Sequence, residues 1–228
     1  MSIVAKVPFY FYTRQNLTFL SGKKATNVSE LLSGIKVIPD MSIYHHTHHF
    51  LEQHEFLSPE PPNDFAYWIT NVLQYKLLGE EIASIDLRQY FTIREIRVRV
   101  IEIIEFSLIE NSESLSRKAP PGEEFHFMNA RTFVFPTKYV ANNLSEFNEC
   151  LHNISVYSIY YHIYEAKLFK IIPSFCDWLS SSINEKELAD EFCNLDPYTQ
   201  TLENLRNKLI ELVDNRLKEY AHGKAKRI

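Results

Sequence analysis

The chain has 228 residues, 45% of them hydrophobic and 14% aromatic, and a formal net charge of −5. This length fits one large or two small domains, and the composition is that of a globular protein and not of a disordered one. The acidic pI near 6.0 gives no electrostatic reason to approach a phosphate backbone, so we expect no nucleic-acid partner. No apolar run reaches the length of about 18–20 residues that crosses a bilayer, and the start lacks a signal-peptide core, so we expect a soluble, unprocessed protein with no membrane partner.

The cysteines are few and lie in the second half of the chain. Cys150, Cys176 and Cys193 are odd in number and have no Cys-x-x-Cys spacing. Such usage predicts neither a disulfide framework nor a thiolate zinc site. We therefore expect a reduced, cytoplasmic setting.

An internal repeat organises the chain. A shift of 116 positions aligns residues 9–50 with residues 125–166 without a gap and gives 12 identities in 42 positions. The identical residues of the first copy are Phe9, Phe11, Phe19, Ala25, Asn27, Ser29, Glu30, Ile38, Ser42, Ile43, Tyr44 and His46. This identity predicts an internal duplication.

The repeat continues at a changed offset. Trp68 aligns with Trp178 at an offset of 110, because the first half carries a proline-rich insertion before its tryptophan. The polar segment 111–124 contains two prolines and a glycine and is predicted to be a linker. We therefore divide the chain into a first repeat at residues 1–110, this linker, and a second repeat at residues 125–228.

Each half is predicted to begin with a little β structure. Aromatic segments beside prolines, at residues 9–13, 125–128 and 132–135, have the composition of short strands. Pro8 is expected to precede the first strand, and Pro136 is expected to end the last.

Helices are predicted after these strands. Asn27 and Asn143 each stand before a Ser-Glu pair in the pattern of a helix N-cap. The next helix bears the histidines and has Ser42 or Ser158 as its expected cap, and each half ends in a helix with apolar residues at helical spacing. We expect a mainly α fold with short β-strands, an α+β arrangement of two pseudo-symmetric repeats packed together.

The histidine-bearing helix suggests a metal site. His46 and His49 lie one helical turn apart, and the repeat places His162 and Glu165 at the same two positions. These side chains are ligand types for a divalent transition metal, and pairs at this spacing on facing helices form di-metal sites in helical bundles. Such a metal is the one cofactor that the sequence suggests, and no catalytic residue is assigned.

A structural role competes with metal binding. Of the residues in the histidine segment, only His46 and His162 are histidine in both copies, and His45 and His48 align with tyrosines. A position that accepts either ring suits a half-buried aromatic side chain with one polar end. On this interpretation each shared ring donates one hydrogen bond and accepts another within its own half.

The remaining candidate residues are an exposed histidine run, an acidic residue and two tryptophans. They are His45, His48, His49, His54, Asp64, Trp68 and Trp178. We expect the histidine run to hold any weakly bound metal and the aspartate to begin a helix. The tryptophans are expected in the core, with the alternative that they line an aromatic cleft between the halves.

Four motifs resemble a known prokaryotic family. They are Ser42-Ile-Tyr-x-His46, Pro61-Pro-Asn-Asp-Phe-Ala-Tyr-Trp68, Leu78-Gly-Glu-Glu-Ile-Ala83 and Ala119-Pro-Pro-Gly-Glu-Glu-Phe-His-Phe127. The family is known only as a domain of unknown function, and the resemblance covers nearly the whole chain. It implies an architecture and no reaction.

The first half also resembles a smaller prokaryotic module, in which Tyr-His is followed by Asn-Asp-Phe-x-x-Trp-Ile. The matching residues are His46, Asn63, Asp64, Phe65, Trp68 and Ile69. The second half departs from this pattern with Ser174-Phe-Cys-Asp-Trp178. A histidine followed by an Asn-Asp helix start implies a fold-defining contact at His46.

Three hypotheses for function remain open from the sequence. The first is a non-catalytic cytoplasmic binding or scaffold protein built from a duplicated module, with a protein partner or self-association. The second is a metal-dependent enzyme with a His/Glu site on the two equivalent helices, and the third is a small-molecule binder in the aromatic cleft. The chain has no Gly-x-Ser-x-Gly, P-loop or dinucleotide-binding motif, which favours the first.

Overall fold

The computed structural model describes residues 4–48, 63–110, 115–169, 172–195 and 200–225. Strands β1 (Val4–Ala25) and β2 (Phe125–Asn143) pair with each other in a two-stranded antiparallel sheet. All other regular elements in these ranges are helical, so the prediction of a mainly α fold with β-strands is confirmed. The proline-rich loop that precedes Asn63, with His49 and His54, lies outside these ranges.

One series of helices lies between β1 and β2 in the chain, and a second series follows β2. The first series comprises α1 (Val28–Val37), α2 (Asp40–His48), α3 (Asp64–Asn71), α4 (Lys76–Ala83) and α5 (Ile93–Glu110), with a 3₁₀ turn at Leu87–Gln89. The second comprises α6 (Leu144–Asn153), α7 (Val156–Tyr160), a π turn (Tyr161–Glu165), α8 (Ala166–Phe169), α9 (Phe175–Ser181), α10 (Lys186–Asn194) and α11 (Leu202–Ala225). Within the described ranges, no helix combines the length and the apolar character needed to span a membrane.

The N-caps of α1 and α6 form as predicted. The Asn27 side chain accepts a hydrogen bond from the Glu30 N–H, and the Asn143 side chain accepts one from the Glu146 N–H. Each asparagine thereby satisfies a donor that the first turn of a helix leaves without a partner. The two caps lie at the offset of the sequence repeat, and each begins the first helix after its strand.

Both strands run further than the aromatic segments that predicted them. β2 continues through Pro136, although the sequence suggested that this proline ends it. A proline is tolerated in a strand where the missing N–H would face away from the partner strand. The Met128 N–H leaves the sheet to bind His46, and Pro136 is an even number of positions further along, so strand alternation points its missing N–H to the same outer edge.

The chain divides into two compact units that differ from the two sequence repeats. Unit 1 comprises residues 1–15 and 133–228, and unit 2 comprises residues 16–132. Both boundaries fall inside strands, so each strand belongs to one unit at one end and to the other unit at the other end. The helices of each half are therefore completed by a strand segment that comes from the other half. The duplication and its three-part division remain a prediction from the sequence.

In unit 1, the beginning of β1 packs among the helices that follow β2. Phe9 and Phe11 are buried. The centre of the Phe9 ring lies 5.4 Å from the Trp178 ring, 5.8 Å from the Phe147 ring and 5.4 Å from the Phe175 ring. Aromatic pairs at such separations are stabilising beyond the area that they bury, so this cluster fixes β1 in the core of unit 1.

In unit 2, the beginning of β2 packs among α1 to α5. Phe125 and Phe127 are buried, and the Phe125 ring lies 5.4 Å from the Phe65 ring and 5.6 Å from the Trp68 ring. Helix α1 packs against β2 at Gly34, where an added Cβ would lie 2.2 Å from the Phe127 ring. Only a glycine permits this packing distance.

Cys176 and Cys193 form a disulfide in unit 1, which corrects the expectation that the chain has none. Helices α9 and α10 pack as a hairpin and bring the two Cα atoms to 6.1 Å, and this proximity is not visible in cysteine spacing. Cys150 is a free, buried cysteine, and burial raises the pKa of its thiol to about 11. Disulfides are uncommon in reducing compartments, so cysteine usage no longer argues for a cytoplasmic location.

The described part of the predicted linker, residues 115–124, is bound to unit 2. The Arg117 N–H donates to the Tyr75 hydroxyl at 2.7 Å, and the Ala119 N–H donates to the Thr26 carbonyl at 2.6 Å. Prolines and glycine prevent a helix here without preventing these main-chain contacts. The segment therefore leads directly into β2 along the surface of its own unit.

Candidate functional site

In unit 2, the histidine shared by both copies binds the main chain of a strand. His46 Nε2 accepts a hydrogen bond from the Met128 N–H at 2.9 Å, and the Ser42 hydroxyl donates to the Met128 carbonyl. Ser42 and His46 are four residues apart and therefore share one face of α2. One helix face thus satisfies both polar main-chain groups of a single strand residue. Ser42 is not the helix cap that the sequence suggested.

The same contacts recur in unit 1. His162 Nε2 accepts from the Tyr12 N–H at 2.8 Å, and the Ser158 hydroxyl donates to the Tyr12 carbonyl at 2.6 Å. Tyr12 and Met128 are themselves 116 positions apart. The cap of α7 is Ser155, so Ser158 also serves the strand instead of its own helix.

A tryptophan adds a third bond in each unit, to β1 in unit 1 and to the segment just before β2 in unit 2. Trp68 Nε1 donates to the Glu123 carbonyl and Trp178 Nε1 donates to the Val7 carbonyl, both at 2.7 Å. Both tryptophans are buried, as expected for core residues. We call each serine, histidine and tryptophan set a strand clamp: Ser42, His46 and Trp68 in unit 2, and Ser158, His162 and Trp178 in unit 1.

The hydrogen bond at the second ring nitrogen of each histidine fixes its tautomer. His46 Nδ1 lies 2.8 Å from the Asp64 carboxylate, and His162 Nδ1 lies 3.3 Å from the Pro173 carbonyl. Both partners can only accept, so Nδ1 carries the proton in each ring, while Nε2 accepts from the strand. Each ring donates once and accepts once, as the structural interpretation predicts. That interpretation is wrong in one respect, because the accepted bond comes from a strand of the other half.

Burial keeps the His162 ring neutral. The side chain is fully enclosed, and this desolvation lowers its pKa to about 3. The hydrogen bond to the Pro173 carbonyl favours the protonated form but does not compensate for burial. The unit 1 clamp therefore works only with an uncharged imidazole.

These hydrogen bonds limit metal binding at the two clamp histidines. A metal on Nδ1 would displace the proton there, and a neutral ring would then carry its proton on Nε2, facing the strand N–H. A metal on Nε2 would displace the strand bond itself. Either mode of metal binding therefore removes the bond between the histidine and the strand.

The predicted metal ligands belong to different units. His46 lies in unit 2, and His162 and Glu165 lie in unit 1, while His49 is outside the described residues. Glu165 pairs with Arg14 at 2.6 Å, and both side chains are buried. Its carboxylate thus has a cationic partner in its own unit, and the four-ligand site remains a prediction.

The prediction of an exposed histidine run is wrong for the two members that the structure describes. His45 and His48 are buried, because α3 and α5 both pack against α2. His48 stacks on the Tyr44 ring at 4.8 Å, and burial lowers its pKa to about 4. His54 lies outside the described residues.

A different group of metal-ligand types does come together in unit 2. One ligand atom from each of His45, His46 and Asp64 lies within 4.8 Å of the others. The Asp64 side chain is half exposed and the two histidines are buried. Asp64 begins α3, as expected, and accepts from His46. A metal at this group would compete with that hydrogen bond.

Ser42, His46 and Asp64 are the residue types of a hydrolytic triad, but their hydrogen bonds differ from those of one. The Ser42 hydroxyl donates to a main-chain carbonyl and not to the histidine. His46 Nε2, which would be the general base, accepts from a main-chain N–H. A nucleophile–base hydrogen bond is therefore missing from this group.

Two arginines with equivalent roles were missed from the sequence. Arg97 on α5 donates to the Ile35 carbonyl at 2.5 Å, and Arg206 on α11 donates to the Leu151 carbonyl at 2.8 Å. These carbonyls lie in the last turns of α1 and α6, where intrahelical partners run out. The usable signal was that both arginines lie near the start of the final helix of their half.

Comparisons with known proteins show a fold and a family. No curated protein matches the chain. The structure of OrfY from Thermoproteus tenax is similar, with a TM-score of 0.79 and 23% identity over 93% of this chain and 96% of that chain. At this identity the similarity shows a shared fold. The sequence profile of DUF5752, a family of unknown function, matches residues 6–214. The chain therefore belongs to the DUF5752 family.

Proposed function

We propose that the protein is a non-catalytic binding or scaffold protein built from a duplicated module of one strand and several helices. The observation that carries this proposal is the strand clamp. Its serine, histidine and tryptophan side chains direct their polar atoms to the main chain of Met128, Tyr12, Glu123 and Val7. Side chains used in this way hold a fold together, and their polar atoms are not available as a base or a nucleophile for turnover.

The recurrence of these contacts supports a duplicated scaffold. The clamp serines and histidines and the strand residues that they bind recur at the offset of 116, and the tryptophans recur at 110. Two pseudo-symmetric repeats packed together are the simplest origin of such paired contacts. A chain whose halves exchange strands also resists separation, which suits a protein that presents surfaces to a partner.

A metal-dependent enzyme is the second candidate. The proximity of His45, His46 and Asp64 favours it, with a divalent transition metal as cofactor. The third candidate, a small-molecule binder, depended on Trp68 and Trp178 as walls of a cleft. Both indole N–H groups donate to main-chain carbonyls, which supports a core role for the two tryptophans.

Metal content and the stability of one variant test the proposal. Protein purified without a histidine tag is expected to hold well under one metal ion per chain by elemental analysis. His46→Ala is expected to lower the free energy of unfolding by about 1–3 kcal/mol, because the Met128 N–H and Asp64 lose a partner. The loss should be the same with and without chelator in urea titrations.

The matched control is His152→Ala, which removes an exposed histidine on α6 and should leave the free energy of unfolding unchanged. The metal-dependent enzyme would be favoured by two results together: about one metal ion per chain, and a chelator that destabilises the wild type but not His46→Ala.

A further inference from the structure

The outer edge of β1 is covered along the first part of the strand and open further on. In unit 1 the Tyr12 main chain is held by the clamp, and the Lys6 N–H donates to the Ser182 carbonyl at 2.9 Å. In unit 2 the strand clamp binds β2 and not β1. Among the described residues, the segment from Leu17 to Gly22 makes no hydrogen bond to a helix, and the sheet has no third strand beside it.

The open segment carries large apolar side chains on both faces. Leu17 is 58% exposed, Phe19 is 46% exposed and Leu20 is 63% exposed. Residues at alternate positions share a face, so Leu17 and Phe19 lie on one face and Leu20 on the other. An apolar strand with a free edge readily pairs with another chain, and proteins normally blunt or cover such an edge.

The direction of the main-chain groups can be read along β1. N–H and C=O groups point alternately to the two edges of a strand. Because the Tyr12 N–H points to the outer edge, the alternation turns the N–H groups of Thr18 and Leu20 outward as well. Both groups are therefore available to a third strand.

The equivalent position on the outer edge of β2 is a proline, so a third strand can bind the edge of β1 but not that of β2. The sequence repeat aligns Leu20 with Pro136. β2 runs through Pro136, as expected where the missing N–H would face outward. A proline at this position removes the N–H that a third strand would bind, whereas at the same place β1 has an N–H with no hydrogen bond to a helix among the described residues.

The charges of the sheet indicate the chemistry of the partner. The basic residues of the two strands are Lys6, Arg14, Lys23, Lys24, Arg131 and Lys138, and neither strand contains Asp or Glu. The chain as a whole has a net charge of −5. Arg14 is paired with the buried Glu165, and Lys24 lies 3.4 Å from Glu124, whereas Lys23 has no ion pair among the described residues. Strands of one sign disfavour pairing with a second copy and favour an acidic segment.

We propose that the outer edge of β1 from Leu17 to Gly22 binds an extended peptide of a partner protein as a third strand, and that this peptide alternates apolar and acidic residues. The N–H groups of Thr18 and Leu20 set its register, Leu17 and Phe19 pack against its apolar residues, and Lys23 pairs with an acidic one. The inference rests on the proposed binding function and names the partner's chemistry.

Peptide binding by two variants at one position tests this site. The probe is a fluorescent peptide of alternating valine and glutamate, added to the full chain and followed by anisotropy. Leu20→Pro copies the residue of the equivalent β2 position and removes one outward N–H, whereas Leu20→Ala keeps it. The wild type and Leu20→Ala should bind, and Leu20→Pro should bind about tenfold more weakly, as expected for one lost hydrogen bond.

Several results would overturn the inference. They are no binding by the wild type, equal binding by Leu20→Pro, or equal binding of a valine–lysine peptide. Tighter binding of oligothymidylate would assign the edge to nucleic acid, and a dimer that Leu20→Pro abolishes would assign it to a second copy. The proposed function is tested by metal content, which Leu20→Pro should leave unchanged, whereas this inference is tested by peptide binding. The two can therefore fail separately.

Discussion

The imidazole of His162 illustrates why a histidine is used to hold a strand. A neutral ring accepts at one nitrogen and donates at the other, so it bridges the Tyr12 N–H and the Pro173 carbonyl. Protonation would turn the acceptor into a donor facing an N–H, and would place a charge in a site without solvent. The same geometry that stabilises the strand therefore makes it sensitive to acid.

Acidification is expected to destabilise the protein. Burial lowers the pKa of His162 to about 3 and that of His48 to about 4, from ordinary values of 6.5. Between pH 6.5 and these lowered pKa values, the unfolded chain binds more protons than the folded one. The contribution of the two neutral rings to the free energy of unfolding is therefore fully present above about pH 6.5 and falls as the pH drops toward 4. Urea titrations near pH 7.5 and pH 5 should show a lower free energy of unfolding at the acidic pH.

The variant His162→Gln provides the control for this pH dependence. A glutamine oxygen can accept from the Tyr12 N–H but does not titrate, so the loss between the two pH values should be smaller than in the wild type. The same loss in both proteins would place the acid sensitivity elsewhere.

At the residue scale, the sequence identified which histidines matter and not what surrounds them. His46 and His162 stood out because the repeat keeps both, and their one donated and one accepted bond follow from ring chemistry. The burial of His45 and His48 was missed, because α2 has polar residues on every face and its covering helices cannot be recognised from its own pattern.

At the scale of elements, Trp178 links α9 to β1, and Trp68 links α3 to the segment that leads into β2. Trp68→Ala and Trp178→Ala should each lower the free energy of unfolding by about 3–5 kcal/mol through lost burial and a cavity. The Phe variants at these positions keep most of the packing and lose chiefly the indole donor, for about 1 kcal/mol. Urea denaturation gives these values, and near-zero effects of both Ala changes would contradict the clamp.

The α9–α10 hairpin gains stability from its disulfide. The sequence repeat aligns Cys176 and Cys193 with Ala66 and Ala83, so alanine at both positions fits the equivalent helix pair. The double alanine variant is expected to lose about 3 kcal/mol, the entropy gained by the unfolded chain when a loop of this length opens. Reductant should lower the melting temperature of the wild type and not that of the variant. Three titratable thiols in the denatured, unreduced wild type would show that the bond is absent.

Helix starts were easier to predict than strand lengths. The Asn27 and Asn143 caps follow from local chemistry between residues three positions apart. By contrast, β1 continues through a stretch whose side chains are exposed on both faces, where no alternation marks a strand. Its length depends on pairing with β2, and Pro136 misled the prediction because an outer edge tolerates it.

At the scale of the whole molecule, the exchanged strands make the halves dependent on each other. A fragment of residues 1–116 lacks Phe125 and Phe127, which fill the core of unit 2. Alone it should show no cooperative unfolding by circular dichroism, whereas its mixture with residues 117–228 should recover the native spectrum. The intact chain should unfold in one thermal transition.

Two well-separated transitions, or a 1–116 fragment that folds on its own, would contradict this dependence. The exchange of strands between the two halves was not predictable from the sequence repeat. A strand that returned to its own helices would bury the same aromatic residues and make the same clamp bonds, so both arrangements suit one sequence pattern. The connection between strand and helices decides between them, and a one-dimensional alignment contains no information on it.

Strand exchange also sets the order in which the protein can fold during its synthesis. The Val7 carbonyl binds Trp178, which is 171 residues further along the chain. At roughly 5–20 residues per second, this partner is made about 10–30 s later. Unit 2 can close once residue 132 has left the ribosome, while Phe9 and Phe11 remain exposed to water and to chaperones. Aromatic residues that are synthesised well before their partners are thus among the last to be buried.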